Sequence, residues 1–217
     1  DCEIELNFTI SRKGLEALRE GKCELAGFNF PKSSTNNSKA FGTFGHLLTK
    51  NNGLIFFATR LQGLAVAPGN PKKIYSILDI ASRKAKFINR REGTGTRILF
   101  DQMLDVLAVK PEEIEGYNDI SDTQFFTAVQ IASGKVDVGL CTANVAKENG
   151  LDFIPLAKEV YYLAADEKFL ETAKAKKFIQ FLRSYDWAEF KDQLEGYDFT
   201  GTGEVFKVSD VFTADAS

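Results

Sequence analysis

The residues best suited to chemistry lie between Phe87 and Leu104. An apolar stretch, Phe87-Ile88, passes through Asn89 into the basic pair Arg90-Arg91. Glu92-Gly93-Thr94-Gly95-Thr96-Arg97 follows, and then Ile98, Leu99 and Met103 recur at helical spacing. Gly93 and Gly95 let the backbone come close to a ligand. A helix that starts between Thr94 and Thr96 would present unpaired N–H groups, two hydroxyls and the positive end of its dipole. With Arg90, Arg91 or Arg97 beside it, the pattern describes an anion site built largely from main chain. The same residues also read as an ordinary strand-to-helix turn with Thr94 or Thr96 as its cap. The segment is neither a P-loop, since no second spaced glycine and lysine follow, nor a dinucleotide fingerprint, since Ile98 stands where a third glycine belongs.

Other chemistries find less support. The single histidine, His46, excludes most histidine-based metal sites, disfavours a Ser-His-Asp catalyst, and sits in a loop-like context. Cys2, Cys23 and Cys141 have neither Cys-x-x-Cys spacing nor an even count, so they define no disulfide framework and no zinc site. Cys23 and Cys141 read as buried thiols, which favours a reducing, cytoplasmic compartment; a processed N-terminus would instead imply a periplasmic or extracellular one. A net charge of -3 argues against direct nucleic-acid binding. No run of 18 apolar residues is present to span a membrane. The chain opens on Asp1 with no visible signal peptide, which reads as a processed or partial chain. Most of the 19 phenylalanines lie in apolar runs and are expected in the core.

The elements that would position these groups alternate between strand and helix. Glu3 to Ile10 alternates polar and apolar residues as a half-buried strand, followed by a helix capped by Ser11 and stopped by Gly21. Strands are expected at 25–30, 54–59, 61–67, 86–89, 136–141, 153–156 and 160–165. Helices are expected at 40–49, 73–83, 95–108, 122–133, 142–149, 167–185 and 186–195, with a short helical stretch from Pro111 and a polar loop over 31–39. The order implies an α/β protein with mostly parallel sheet, whose ligands bind beyond the carboxyl ends of strands.

Several segments, taken in order, resemble a known family. These are Gly14-Leu15-Glu16-Ala17-Leu18, Glu24-Leu25-Ala26-Gly27-Phe28, Gly63-Leu64-Ala65-Val66-Ala67-Pro68-Gly69, the Phe87–Arg97 stretch, Ser133-Gly134-Lys135-Val136-Asp137-Val138-Gly139, Gly150-Leu151-Asp152-Phe153-Ile154-Pro155 and Thr202-Gly203-Glu204. The set is similar to the type II periplasmic-binding-protein-like domain, in the branch attached to DNA-binding regulators and molybdopterin-biosynthesis proteins. The resemblance implies two α/β lobes, residues 1–83 with 158–217 and residues 84–157, joined by two crossovers and clasping a ligand between them. It also implies a departure: the strand and helix that usually precede the Glu3–Ile10 segment are missing.

By the same resemblance three helix starts converge on the ligand: Ser11 with Arg12, Thr94-Gly95-Thr96-Arg97, and Thr142. Arg91 is the favoured arginine, and Asn29 and Tyr161 complete the expected ligand-binding set. Arg60 and Gln62 could approach the ligand or stay solvated on an edge strand. Thr123-Gln124 could line the second lobe, and Arg90 could pair with Asp101 or Glu92. The implied function is a non-enzymatic solute-binding or sensor domain for a small oxyanion of the molybdate or tungstate type, or a related cofactor. A fused or associated DNA-binding or biosynthetic domain is the implied partner. A transferase acting on an anionic small molecule, or an interaction module with a vestigial cleft, are the alternatives.

Overall fold

The computed structural model describes residues 4–32, 44–190 and 192–212. The described elements, in chain order, begin with α1 (Ser11–Arg19), β1 (Ala26–Pro31), β2 (Asn52–Val66), α2 (Ile77–Ser82), β3 (Phe87–Arg90) and α3 (Gly95–Val106). They continue with β4 (Ile120–Ser121), α4 (Gln124–Ala132), β5 (Val138–Thr142), α5 (Ala143–Glu148) and β6 (Asp152–Asp166). They close with α6 (Glu167–Leu170), α7 (Ala173–Ser184), β7 (Tyr197–Asp198), β8 (Val205–Lys207) and α8 (Val208–Val211). The chain folds as two compact units. One comprises Asp1–Thr59, Val160–Glu189 and Asp198–Ser217; the other comprises Arg60–Glu159 and Phe190–Tyr197. The chain passes between them four times, within the 15-residue strands β2 and β6 at 59/60 and 159/160, and again at 189/190 and 197/198. The sequence boundaries fall elsewhere, at 83/84 and 157/158, because no glycine, proline or loop marks a division inside a continuous strand.

In the second unit the strand order is β6-β2-β5-β3-β4. β3 pairs parallel with both β4 and β5, and β2 runs antiparallel to β5. Period-two alternation sorts each strand's residues onto two faces. Leu64, Val66, Phe87, Val138 and Leu140 pack with Leu99, Phe100 and Leu104 of α3 and with Ile77 and Ile80 of α2. Ala65, Ile88 and Cys141 pack on the other face, with Ala128 and Ile131 of α4 and Ala146 of α5. A sheet covered on both faces explains why these strands read as near-continuous apolar runs. Phe87 and Phe100 stack with centroids 4.4 Å apart and tie α3 to β3.

In the first unit β1 lies beside β6, β6 beside β2, and β8 pairs antiparallel with β2. Phe28, Phe30, Phe44, Tyr162 and Phe212 form one aromatic cluster. Ile55, Phe57, Ile179, Leu182 and Trp187 form a second core. The phenylalanines are thus largely structural, as expected; Phe8, Phe125, Phe126 and Phe181 are exposed.

Several elements differ from the sequence expectation. Residues 4–10 form no strand and are exposed up to Ile10, with Phe8 97% exposed, because no described strand offers them a ladder. The segments 54–59 and 61–67 are one strand, as are 153–156 and 160–165. The helix expected from Lys73 starts only at Ile77. Asn70 and Lys73 adopt positive φ (46° and 53°), and the Asn70 amide holds both backbone polar groups of Ile74. Thr172 caps α7 and so divides the helix expected over 167–185. Among the described residues of the stretch 186–195, where a helix was expected, there is a short 3-10 turn, Trp187–Phe190, and no α-helix. In the stretch from Ala40, residues 40–43 lie outside the described residues, as does most of the 31–39 loop.

Two measurements test this packing. Burial pushes the Cys141 thiol up to about 12, so in native protein at pH 8 it should resist iodoacetamide and become reactive in denaturant; fast native alkylation of Cys141 would contradict the fold. Asp79 follows the cap Ser76. Burial opposes its charged form, but the Ser76 hydroxyl, the Tyr75 N–H and Arg83 outweigh burial and lower its pKa. Because the folded value is depressed, its contribution is present above the unfolded value and is lost as pH falls through the folded one. Asp79→Asn should cost about 1 kcal/mol at pH 7, and the difference from wild type should shrink in urea titrations at acid pH.

Candidate functional site

β3, β4 and β5 run in the same direction, so their carboxyl ends, Arg90, Ser121 and Thr142, share one edge of the second unit. Each strand leads into a helix: α3, α4 and α5 respectively. After β3 the chain turns through Gly93, whose φ of +81° suits glycine. Thr94 then caps α3, accepting from the Arg97 N–H at 3.3 Å and donating to the Arg91 carbonyl at 2.8 Å. Thr94 therefore takes the cap role, and Gly95 is the first helical residue.

Thr96 is the hub of a buried polar network. Its Oγ1 lies 2.7 Å from Gln62 Nε2 on β2 and 3.1 Å from Gln124 Nε2 at the start of α4. Gln124 Oε1 in turn accepts from the Thr142 backbone N–H (2.9 Å) and from its hydroxyl (3.0 Å). A backbone N–H can only donate, so it fixes the Gln124 amide with its nitrogen toward Thr96. Gln62 also turns its nitrogen toward Thr96, so the Thr96 hydroxyl accepts from two amides and its own O–H is given no acceptor among the described residues. In the orientation found, Gln62 Oε1 is also unmatched.

Arg90 ends β3 and is 8% exposed. Its Nη1 donates to the Ser121 carbonyl at 2.6 Å, and its buried Nε has no partner. Burial holds its guanidinium down at about 10; the pull of Asp122 opposes this, and the positive charges of Arg91 and Arg60 add to it. The side chain remains a cation at neutral pH, buried and only partly paired, which is costly unless an anion completes it. Arg60, on β2, is raised above its ordinary value. Burial works against it and is outweighed by Glu159 and Tyr197. Its Nε lies 2.9 Å from Glu159 Oε2, and its Nη1 donates to the Tyr197 hydroxyl at 3.2 Å.

The sequence-expected residues are distributed as follows. Thr96 and Thr142 are brought together through Gln124, with Thr94 and Gly95 at the same helix start. Arg91 is exposed and paired with Asp122. Arg97 chelates Asp101 (2.9 Å to each oxygen), donates to the Tyr117 hydroxyl (2.7 Å) and stacks over that ring at 4.5 Å. In the first unit, Ser11 is not the cap of α1; Ile10 holds that position, and Ser11 Oγ instead makes a long 3.4 Å contact to Asn29 Oδ1. Both are buried, and Asn29 Nδ2 is unmatched. Arg12 is exposed and pairs with Glu16 at 3.0 Å. Tyr161 packs edge-on against Phe57, and a Cβ on Gly27 would collide with its hydroxyl. His46 is exposed. Glu159 had no local signal in sequence, being 99 residues from its partner Arg60. Among the described residues no cluster of His, Cys, Asp or Glu is arranged to hold a metal, and no helix is long and apolar enough to cross a membrane.

A family model described as the PBP (periplasmic-binding-protein) superfamily domain matches residues 1–183. The chain belongs to that superfamily. It is 33% identical over 195 residues to the uncharacterized protein YvgK of Bacillus subtilis, covering 90% of this chain. It spans only 63% of that relative's length. Among solved structures, a Clostridium perfringens protein with bound phosphate, described as a phosphate ABC transporter substrate-binding protein, aligns with a TM-score of 0.60 at 18% identity. That alignment covers 92% of this chain and 85% of the other. The Synechocystis CcmR regulatory domain in complex with 2-PG aligns with a TM-score of 0.58 at 13% identity, covering 82% and 81%. The mixed α/β, two-lobe periplasmic-binding-protein-like fold expected from the sequence is therefore the fold of this chain.

The hub makes a direct prediction. Thr96→Val leaves two amide nitrogens without an acceptor and should destabilise the protein by about 1–3 kcal/mol in urea unfolding, whereas Thr96→Ser should restore most of that loss. Equal stability of Thr96→Val and wild type would show that the network is not formed.

Proposed function

We propose that this chain is a ligand-binding domain, serving transport or sensing, that holds a small oxyanion on the polar edge of its second unit. The observation that carries the reading is Arg90: a buried cation at a strand's carboxyl end whose Nε–H has no partner within the protein. The α3 start supplies backbone N–H groups beside it, and the Thr96 network supplies the unmatched donor. Gln62, Gln124 and Thr142 hold that donor in place. Arg60 adds positive potential, since its charge acts on Arg90. The phosphate and 2-PG carried by the two fold neighbours make phosphate-type anions the first ligands to test. Molybdate and tungstate, implied by the sequence resemblance, belong in the same panel. In this reading Arg90 replaces Arg91 as the principal arginine, and Arg97 acts by positioning α3. A companion DNA-binding or biosynthetic domain would read the bound state.

A ligand that binds only the native state raises stability by about 2.7 kcal/mol at a hundred times its Kd. Thermal-shift titration with phosphate, sulfate, molybdate and tungstate should therefore show a concentration-dependent rise in Tm with at least one of them. Arg90→Gln should weaken that ligand's binding by about tenfold or more. Arg91→Gln, at an exposed ion pair, should change it by less than about threefold. The opposite ranking would move the site to the exposed loop.

A further inference from the structure

We propose that the edge of the second unit opposite Arg90 is a docking face for an anionic lipid surface. The proposal is independent of the anion-binding reading above.

Strand direction sets this edge. β2 runs antiparallel to β5, and β3 runs parallel to it, with Val138 opposite both Val66 and Phe87. The carboxyl end of β2 and the amino ends of β3 and β5 therefore lie together, away from Arg90 and Thr142. The connection from β2 through α2 to β3 starts and ends on this edge. Over residues 71–86 it carries five cations, Lys72, Lys73, Arg83, Lys84 and Lys86, against one acid, Asp79. The whole chain has a net charge of -3, so this stretch runs against the sign of the rest.

All five cations are exposed. Arg83 pairs with Asp79 at 3.2 Å, and Lys72 lies 3.7 Å from Asp137. The Asp137 carboxylate also accepts from the Lys86 backbone N–H at 2.8 Å, which brings Lys72 and Lys86 to one place. Among the described residues Lys73, Lys84 and Lys86 enter no ion pair. Glu115 and Asp152, bonded to the backbone of Phe87 and Gly69, add negative charge at the margin. Tyr75 and Leu78, in the same stretch, are 64% and 48% exposed. Ile74, Ile77, Ile80 and Ala85 are buried in the core beneath them, and the Asn70 amide grips Ile74. The face is thus anchored before any partner arrives, which lowers the cost of docking.

The residue types select the partner. Lysines are point charges on flexible stems and suit a diffuse negative field. They are depleted in protein–protein interfaces. Each Lys or Arg brought near an anionic leaflet adds to the attraction. A tyrosine and a leucine among them fit the headgroup boundary, where a side chain can bury an apolar body and keep a polar tip wet. A nucleic-acid backbone offers the same charge with no apolar layer for these two residues.

Co-sedimentation of the 217-residue chain with lipid vesicles tests this. Vesicles of phosphatidylglycerol mixed equally with phosphatidylcholine should bind it, and pure phosphatidylcholine should not. Added salt should weaken the binding by screening. The triple variant Lys72→Glu, Lys73→Glu, Lys84→Glu should lower the partition coefficient by about tenfold or more. Tyr75→Ser with Leu78→Ser should lower it by about threefold or more. Arg90→Gln should leave it unchanged. Loss of vesicle binding in Arg90→Gln would place lipid headgroups in the anion site and overturn the proposal. Wild type that binds both vesicle types equally, or neither, overturns it without recourse to a variant. So does wild type that passes over the anionic vesicles and retains duplex DNA or polyglutamate, which would give the face to another polyanion.

Discussion

The second unit depends on one buried hydroxyl. Thr96 Oγ1 is the point at which β2, α3 and, through Gln124, α4 and β5 meet. Polar groups inside a sheet-and-helix core are tolerated only when they are matched. Here the match is made across four elements that are distant in sequence, and it leaves the Thr96 O–H without an acceptor and Gln62 Oε1 without a donor. On the proposed reading, that mismatch marks a binding surface rather than a structural network. A purely structural network would close on itself. This one stays open at the strand ends, where the parallel arrangement of β3, β4 and β5 already gathers helix starts and their N–H groups.

The arginines divide by position along a single strand end. Arg90 is the last residue of β3 and is drawn in with the strand, where Ser121 takes one of its nitrogens. Arg91 is one residue beyond, in the turn, and swings out to Asp122. Arg97, one turn into α3, is consumed by Asp101 and Tyr117 and braces the helix from outside. Three neighbouring arginines thus have three roles, set by where the strand stops and the helix begins. Arg60 approaches from β2 with Glu159 as its counter-ion, so the positive potential around Arg90 is built by charge that is itself anchored.

Much of this was legible in the sequence. The apolar runs through Leu64-Ala65-Val66 and Phe87-Ile88 announced strands, and Gly93-Thr94-Gly95-Thr96 announced a helix start fit for an anion. The resemblance supplied the two-lobe fold. What was not legible depends on long-range pairing or on single-residue boundaries. Choosing between Arg90 and Arg91 required knowing which residue ends β3. Gln62 and Glu159 acquire meaning only from Thr96 and Arg60, partners 34 and 99 residues away. Two of the four passages between the units were hidden because they fall inside the unbroken strands β2 and β6. The alternation over Glu3–Ile10 misled for the converse reason: a strand pattern forms a strand only where a neighbour completes its ladder.

The central claim is that the open network at the strand ends is an anion site. The most direct measurement is a crystal structure of the protein grown with orthophosphate. The account predicts phosphate oxygens within hydrogen-bond distance of Arg90 Nε and of Thr96 or Gln62, with the Gln124–Thr142 contacts intact. Ordered phosphate elsewhere, with Arg90 Nε paired to a protein group and the Thr96 network closed on itself, would contradict it.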